Sequence, residues 1–389
     1  MLFLLLILFV IWIVATWPLK KIDGRLETFA PLSLTTPGGV IKSTLGKHPT
    51  IKFKRCDKQV TKIEKNIFDQ FKKVDNDSWD IYVPCGYTYV EKELDENSHF
   101  VDRKQKGWVL GIQGSDNFAA KDRAWNLLAK RYGRLRATIY MPESWVTYEP
   151  LQMSAFVKYA KEHPTDMYIM KKNIQQQKGL KIIHSANEAQ NAFKDSYVVV
   201  QRILKDPYLV NGRKINIRVY ILVVCKGGKK NLFVYDDGFV YYSKVPYKTG
   251  ESWDEIVTSG YISRNVYDEN PLTIKDLLKY IHEHNGAAAV DKFIKNRNYI
   301  LAGFLDAVKD DFCTVSTDNV VNAQSYGVDM QPNKDLTDVK ILEINKGQSL
   351  EIMDQRDGSL KQKMMDDMFR TIGVTKDSIP SGYSKIWEG

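Results

Sequence analysis

The chain has 389 residues, 43% of them hydrophobic, with 56 Lys and Arg against 47 Asp and Glu for a formal net charge of +9. That length suffices for one large or two to three smaller packed domains. The positive excess suits phosphates, anionic lipid, nucleic acid or an acidic protein tail without choosing among them, and an ordinary surface charge explains it equally well. No RNP-type, zinc-finger or basic-zipper pattern occurs, which argues against nucleic acid. Cys56, Cys85, Cys225 and Cys313 form no C-x-x-C pair and stand at no metal spacing with a histidine, so reduced thiols are expected. His282 and His284, two apart, fall on different faces of a helix, which argues against a metalloprotease-type site.

Residues 2–17 are an almost unbroken apolar run, ended by Pro18 and followed by Lys20, Lys21 and Arg25. This is the short end of a membrane-spanning length. Without a basic start or small residues at its end, it reads as an uncleaved anchor (residues 1–19) rather than a signal peptide. The positive charge after it leaves the bulk of the chain, including any catalytic part, expected in the cytoplasm. Residues 20–50, rich in Thr, Pro, Gly and Lys, read as a linker.

An N-terminal domain is expected over 51–145. It contains a short amphipathic segment at 67–74, a strand at 108–112, a turn at 113–116 and a helix over about 117–131. A strand-rich central domain spans 146–250, with β-branched runs at 197–200 and 217–224. Two further runs, 231–235 and 239–243, flank Asp236-Asp237-Gly238 and predict a hairpin. The last domain, 251–389, mixes helices with one more hairpin. Thr273 and Asp276 form a capping pair for a helix that reaches about His284, and Gly286 suits its end.

The segment Lys340-Ile341-Leu342-Glu343-Ile344-Asn345 carries the most chemistry. In a strand, residues two apart share a face, so Glu343 and Asn345 point the same way. Pairing with a strand at 326–330 sets Asp329 beside Glu343, and two adjacent carboxylates repel unless one is protonated or a cation lies between them. Asp329, Glu343 and Asn345 are an all-oxygen set suited to Mg²⁺; the alternative is a solvated hairpin end. Upstream, residues 167–171 form an apolar strand ending in Lys171 before a polar loop, 173–179. A lysine placed there can hold nucleotide phosphates, or can belong to an exposed turn. The strand 198–204 ends in Gln201 and Arg202, either to read an adenine with its edge or simply to finish. Lys214, Asn216 and Arg218 share one strand face, a good phosphate clamp if it is not a solvent-facing sheet.

In order, the chain shows Tyr-Ile-x-Lys (168–171), Gln-Lys-Gly (177–179), Val-Val-Gln-Arg (199–202), Lys-x-Asn-x-Arg-Val-Tyr (214–220), Tyr-Asp-Asp-Gly-Phe (235–239), Gly-Val-Asp (327–329) and Leu-Glu-Ile-Asn (342–345). Over roughly 105–370 this resembles the tubulin–tyrosine ligase family, which includes tyrosine, glutamate and glycine ligases. The resemblance implies an α+β ATP-grasp fold, in which two parts clamp ATP behind a small N-terminal α/β domain. It implies that Lys171, Gln201, Arg202, Lys214 and Asn216 contact ATP, with backbone near Leu204 and with Thr258 in the Val257-Thr258-Ser259 segment. It also implies Mg²⁺ on Asp329, Glu343 and Asn345. Arg218 would face the γ-phosphate, and Lys121 falls where a nucleotide- or substrate-facing lysine is expected. The chain departs from the family in carrying Asn216 for an aspartate, and Tyr241 where an arginine binds the amino-acid carboxylate. Its loop at 173–179 is also poor in glycine.

The implied activity is ATP-dependent ligation of a free amino acid (tyrosine, glutamate or glycine) to a protein such as tubulin, through an acyl-phosphate. Arg218, Lys121 and Glu343 are the catalytic candidates. The basic residues Lys130, Arg131, Arg134 and Arg136 suit an acidic protein tail as partner, or a solvated helix end. A nucleotide-binding pseudoenzyme that holds an acidic partner, or an ATP-dependent phosphotransferase, uses the same clamp.

Overall fold

A computed structural model describes residues 49–53, 60–84, 90–96, 106–174 and 179–389. The proposed anchor at 2–17, most of the linker, Cys56 and Cys85 lie outside the described residues. Among the described residues no helix is long and apolar enough to cross a membrane. The longest, Ala287–Val308, carries Asp291, Lys292, Lys295, Arg297 and Asp306 along its 22 residues. The expectation of a membrane-anchored protein with a cytoplasmic catalytic part rested on the first segment alone, and it is withdrawn.

The first part of the chain contributes β1 (Thr50–Phe53), α1 (Lys62–Phe68), β2 (Lys72–Lys73), β3 (Ile81–Val83), α2 (Val90–Glu96) and β4 (Gly107–Val109). Helix α1 lies earlier than the amphipathic segment expected at 67–74, because Thr61 and Glu64 form a complete capping box at its start. The helix expected over 117–131 is two, α3 (Ser115–Ala119) and α4 (Lys121–Tyr132), broken at the extended Ala120. Next come α5 (Arg134–Ala137), β5 (Ser144–Val146), α6 (Pro150–Glu162), β6 (Tyr168–Lys171), β7 (Leu180–Ile183) and β8 (Val199–Arg202). Then follow β9 (Leu209–Val210), β10 (Arg213–Lys226), β11 (Lys229–Ser243), α7 (Trp253–Ile256), β12 (Thr258–Ser259), α8 (Val266–Glu269), α9 (Ile274–Asn285) and α10 (Ala287–Val308). The chain closes with β13 (Val320–Pro332), β14 (Val339–Asn345), α11 (Gln355–Thr371) and β15 (Tyr383–Glu388).

This mixed α+β architecture has two sheets among the described residues. An eleven-stranded sheet runs β12-β11-β10-β13-β4-β3-β1-β2, with β14 on β13, β15 on β11 and β9 on β10; a four-stranded sheet runs β5-β8-β6-β7. Both exploit period-two alternation. In the small sheet Tyr168, Met170 and Val200 pack with Trp145 and Phe156 under α6, while Ile169, Lys171 and Gln201 face the other way, into a cavity. In β10 the odd positions Ile215, Ile217 and Val219 enter the main core, and Lys214, Asn216 and Arg218 line the same cavity.

The hairpin expected at Asp236-Asp237-Gly238 is not one. Strand β11 continues through it, and the hairpin turn lies at Gly227 and Gly228, both with positive φ. The register jumps between Val219 and Ile221, a bulge on β11. Asp237 Oδ1 accepts the backbone N–H groups of Gly238 and of Lys275 in the first turn of α9. The pair of aspartates thus fastens a helix end instead of turning the chain. Helix α9 itself has the expected cap at Thr273 and Asp276 and ends at Gly286. The expectation of reduced thiols is also corrected: Cys225, at the end of β10, is joined to Cys313 by a disulfide across 88 residues.

Candidate active site

Three adjacent strands bring the site together. Arg218 on β10 stands opposite Asp329 on β13, and Asp329 stands opposite Glu343 on β14. The expected hairpin is present, and its two carboxylates are neighbours. Gly327 makes room for this row, since a Cβ there would lie 2.9 Å from Arg218 Cδ. Arg218 grips Asp329 with a two-pronged ion pair, Nε to Oδ1 at 2.5 Å and Nη2 to Oδ2 at 2.9 Å. Asn345 donates Nδ2 to Glu343 Oε1 at 3.3 Å and to the Gly327 carbonyl at 3.4 Å, so the amide oxygen remains as its donor atom for a cation.

A bulge follows at once, because Met330 pairs with Ile341 and Leu342 is skipped. The freed Leu342 carbonyl accepts Lys171 Nζ at 3.2 Å, and Gln201 Oε1 accepts the same ammonium at 2.7 Å. Lys121, at the start of α4, lies 3.5 Å from Glu343. Lys214 Nζ donates to the Ile256 carbonyl at 2.7 Å. Arg202 is held by the Tyr159 hydroxyl at 3.0 Å. All twelve candidate residues, Leu204 and Thr258 included, line one cavity of about 1100 Å³.

The electrostatics follow from burial. Desolvation lowers Lys171 to about 8, against the pull of Glu343. It lowers Lys214 further, to about 7, helped by repulsion from Lys171. Asp329 is pushed up, by burial first and then by Glu343, with Arg218 opposing. Burial also works against Glu343, but Lys121, Lys171 and Arg218 together outweigh it and hold that carboxyl low. Two neighbouring carboxylates, side by side with an amide oxygen, fit a hard divalent cation. Among the described residues no cluster of three His, Cys, Asp or Glu gathers anywhere, so a cation site here depends on the amide.

Sequence reasoning missed one wall. Helix α11 lends the cavity Asp357 and Lys361, and the segment before it lends Gln348. An i,i+4 Asp–Lys pair reads as a solvated helix face, and only the fold shows it buried. The basic group on α4 and α5 also divides: Arg134 sits over the rings of Trp125 and Trp145 and bonds to the Ser144 carbonyl, while Lys130, Arg131 and Arg136 are exposed.

The sequence model of the tubulin-tyrosine ligase family matches residues 109–381. The chain belongs to the tubulin-tyrosine ligase family. Within it, the chain is 26% identical over 256 residues to a probable tubulin polyglutamylase, ttll-9 of Caenorhabditis elegans, covering 62% of this chain and 60% of that one. It is 25% identical over 201 residues to the probable tubulin polyglutamylase TTLL9 of Rattus norvegicus, covering 49% and 42%. It is 27% identical over 261 residues to the tubulin polyglutamylase ttll-5 of Caenorhabditis elegans, covering 59% and 35%. The chain therefore matches between about a third and three fifths of the length of these tubulin-tyrosine ligase family relatives.

Proposed function

We propose that this chain is an ATP-dependent carboxylate–amine ligase that adds an amino acid, glutamate in the first instance, to an acidic protein tail such as that of tubulin. The observation that carries this reading is the unbroken row Arg218–Asp329–Glu343 with Lys121 and Lys171 against it, in one cavity with the other nucleotide candidates. The choice of glutamate and of tubulin rests on the names of the relatives.

Asp329, Glu343 and Asn345 would hold Mg²⁺, which when bound neutralises phosphate charge during phosphoryl transfer. The remaining work is electrostatic and falls to the chain's own groups. Lys171 and Lys214 bind phosphate oxygens and gain protons in doing so. Arg218, once Asp329 has another partner, carries charge on the phosphoryl group being transferred from ATP to the acceptor carboxylate. Lys121 keeps Glu343 ionised and oriented. Gln201, Arg202, Thr258 and the backbone at Leu204 line the nucleotide end, where Ile169, Ile203 and Ile256 offer an apolar bed for a base. Asn216 cannot act as a base, so amine deprotonation does not depend on it.

The test is incubation of the full chain with ATP, Mg²⁺, tubulin and labelled glutamate, glycine or tyrosine in turn. Label on tubulin is the expected result. Nucleotide binding without transfer to any tubulin preparation overturns the ligase reading in favour of a pseudoenzyme. Labelled phosphate retained on a product overturns it in favour of a phosphotransferase.

A further inference from the structure

Helix α4 begins without a cap of its own. Its N-cap residue is Ala120, extended at φ −72° and ψ 133°, with no side chain to accept a first-turn N–H. An oxygen-bearing side chain normally satisfies one of the orphan donors there, and alanine is a poor substitute. The missing acceptor comes from the small sheet. Asn173, two residues beyond Lys171 at the end of β6, accepts the Lys121 N–H on Oδ1 at 3.3 Å. Its amide nitrogen donates to Asp122 Oδ1 at 3.0 Å. One side chain thus holds both residues that open α4.

Asp122 is placed to receive it. The residue is only 6% exposed and lies in the first turn of the helix. Its other oxygen accepts the Tyr148 hydroxyl at 2.8 Å. A buried carboxylate costs stability unless donors meet it, and Asn173 and Tyr148 are donors to the two oxygens.

What α4 carries at its start gives the contact a use. Lys121 Nζ lies 3.5 Å from Glu343 and 3.5 Å from the Ile174 carbonyl. Lys171 Nζ lies 3.2 Å from the carbonyl of Leu342, the residue before Glu343. Two ammonium groups from different elements therefore converge on one strand and repel each other, so the elements must be fastened together. The root of the small sheet has its own fastening: Asn126 donates to Glu149 at 2.7 Å, and Gln152 donates to Asn126 at 2.9 Å. Asn173 is not needed to keep that root attached. Its contact sets where α4 begins relative to Lys171.

We propose that Asn173 is a positioning residue that caps α4 from the neighbouring sheet, so that Lys121 reaches Glu343 only while the end of β6 is docked on α4. Asp122 is its receiver. The coupling rests on the ligase reading for the role of Lys121, whereas the cap does not.

The experiment compares the full chain with Asn173→Ala, Asn173→Asp and the exchanged pair Asn173→Asp/Asp122→Asn. Asn173 is exposed, so its variants remove the contact without emptying the core. Two quantities are measured: hydrogen exchange at the Lys121 amide, and calorimetric affinity for Mg²⁺ with a non-hydrolysable ATP analogue. Asn173→Ala should speed the exchange and weaken the analogue, each about tenfold. Asn173→Asp should weaken the analogue at least as far, because it sets two carboxylates against each other. The exchanged pair should restore both quantities, since it keeps one carboxylate, one amide and every hydrogen bond. In a Lys121→Met background, Asn173→Ala should change analogue affinity less than twofold, because its effect passes through Lys121. Equal losses in both backgrounds, as a merely structural role would give, overturn the coupling. Unchanged exchange at Lys121 in Asn173→Ala, or no rescue by the exchanged pair, overturns the cap. A parent chain that binds no analogue refutes the ligase reading and the coupling with it, while exchange at Lys121 still decides the cap.

Discussion

Nucleotide binding to this site should take up protons, and the amount follows from the two buried lysines. Lys214 titrates near 7 and Lys171 near 8, both lowered chiefly by burial. A phosphate oxygen replaces lost solvation and returns each toward the ordinary lysine value. At pH 8 about nine tenths of Lys214 and half of Lys171 are neutral beforehand, which predicts uptake of about 1.4 protons per nucleotide. At pH 6.5 the same sum is about 0.3, and the proton that Asp329 gives up to a metal ion reduces it further. The assay is calorimetric titration of a non-hydrolysable Mg–ATP analogue in buffers of differing ionisation enthalpy; at pH 8 the nucleotide's own phosphates are already ionised. Lys214→Met should remove about 0.9 of the 1.4 protons. Uptake near zero at pH 8, or uptake unchanged between pH 6.5 and 8, refutes the placement of these lysines against phosphate.

Four further outcomes can be measured. Lys214→Met should stabilise the nucleotide-free fold. The folded-state value is depressed, so the penalty is fully present below pH 7 and fades as pH rises toward 10.5. The gain, on the order of a few kcal/mol at pH 6.5, should vanish in melts near pH 10.5. Glu343→Gln should abolish turnover while thermal melting shows the fold retained; unchanged activity removes Glu343 from the metal site. Gly238→Ala should cost about 2 kcal/mol or more in denaturant melts and impair turnover, because its Cβ would meet the Arg218 carbonyl at 2.2 Å. Cys225→Ala should lower stability by about 4.6 kcal/mol on the chain-entropy account of an 88-residue loop, read in denaturant melts against the parent chain.

What the sequence revealed and what it hid divide along the range of the forces involved. Asp329, Glu343 and Asn345 were legible because strand alternation is local and a hairpin joins neighbouring segments. The positions of Lys171 and Lys214 were legible for the same reason, Lys171 as the polar end of an apolar strand and Lys214 as one of three polar residues on a single strand face. Asp236-Asp237-Gly238 misled because its turn propensity is local while its actual role is not: Asp237 is recruited by the N–H of Lys275, from a helix that begins 37 residues later. The wall formed by Asp357 and Lys361 was hidden because an i,i+4 ion pair looks the same on a wet helix and in a cavity. The Cys225–Cys313 bond was hidden because its partners meet only after α10 has folded back beside β11 and β14.

The charge arrangement explains why the nucleotide-free site tolerates so many buried ions. A buried cation is stable only when paired or discharged. Arg218 takes the first course, with both nitrogens on Asp329, and Lys214 takes the second, giving its remaining hydrogen-bonding capacity to the Ile256 carbonyl. Neither arrangement would survive the arrival of a metal-bound triphosphate: Asp329 would hold the metal, Arg218 would lose its partner, and both lysines would recharge against the phosphates. The cations that phosphoryl transfer requires would thus become available only with the nucleotide, and Arg218, freed of Asp329, would then be open to a substrate carboxylate. Obligatory nucleotide-first binding is the kinetic consequence: glutamate affinity should rise at least tenfold once Mg²⁺ and an ATP analogue are bound, and equal affinity with and without them would refute this coupling.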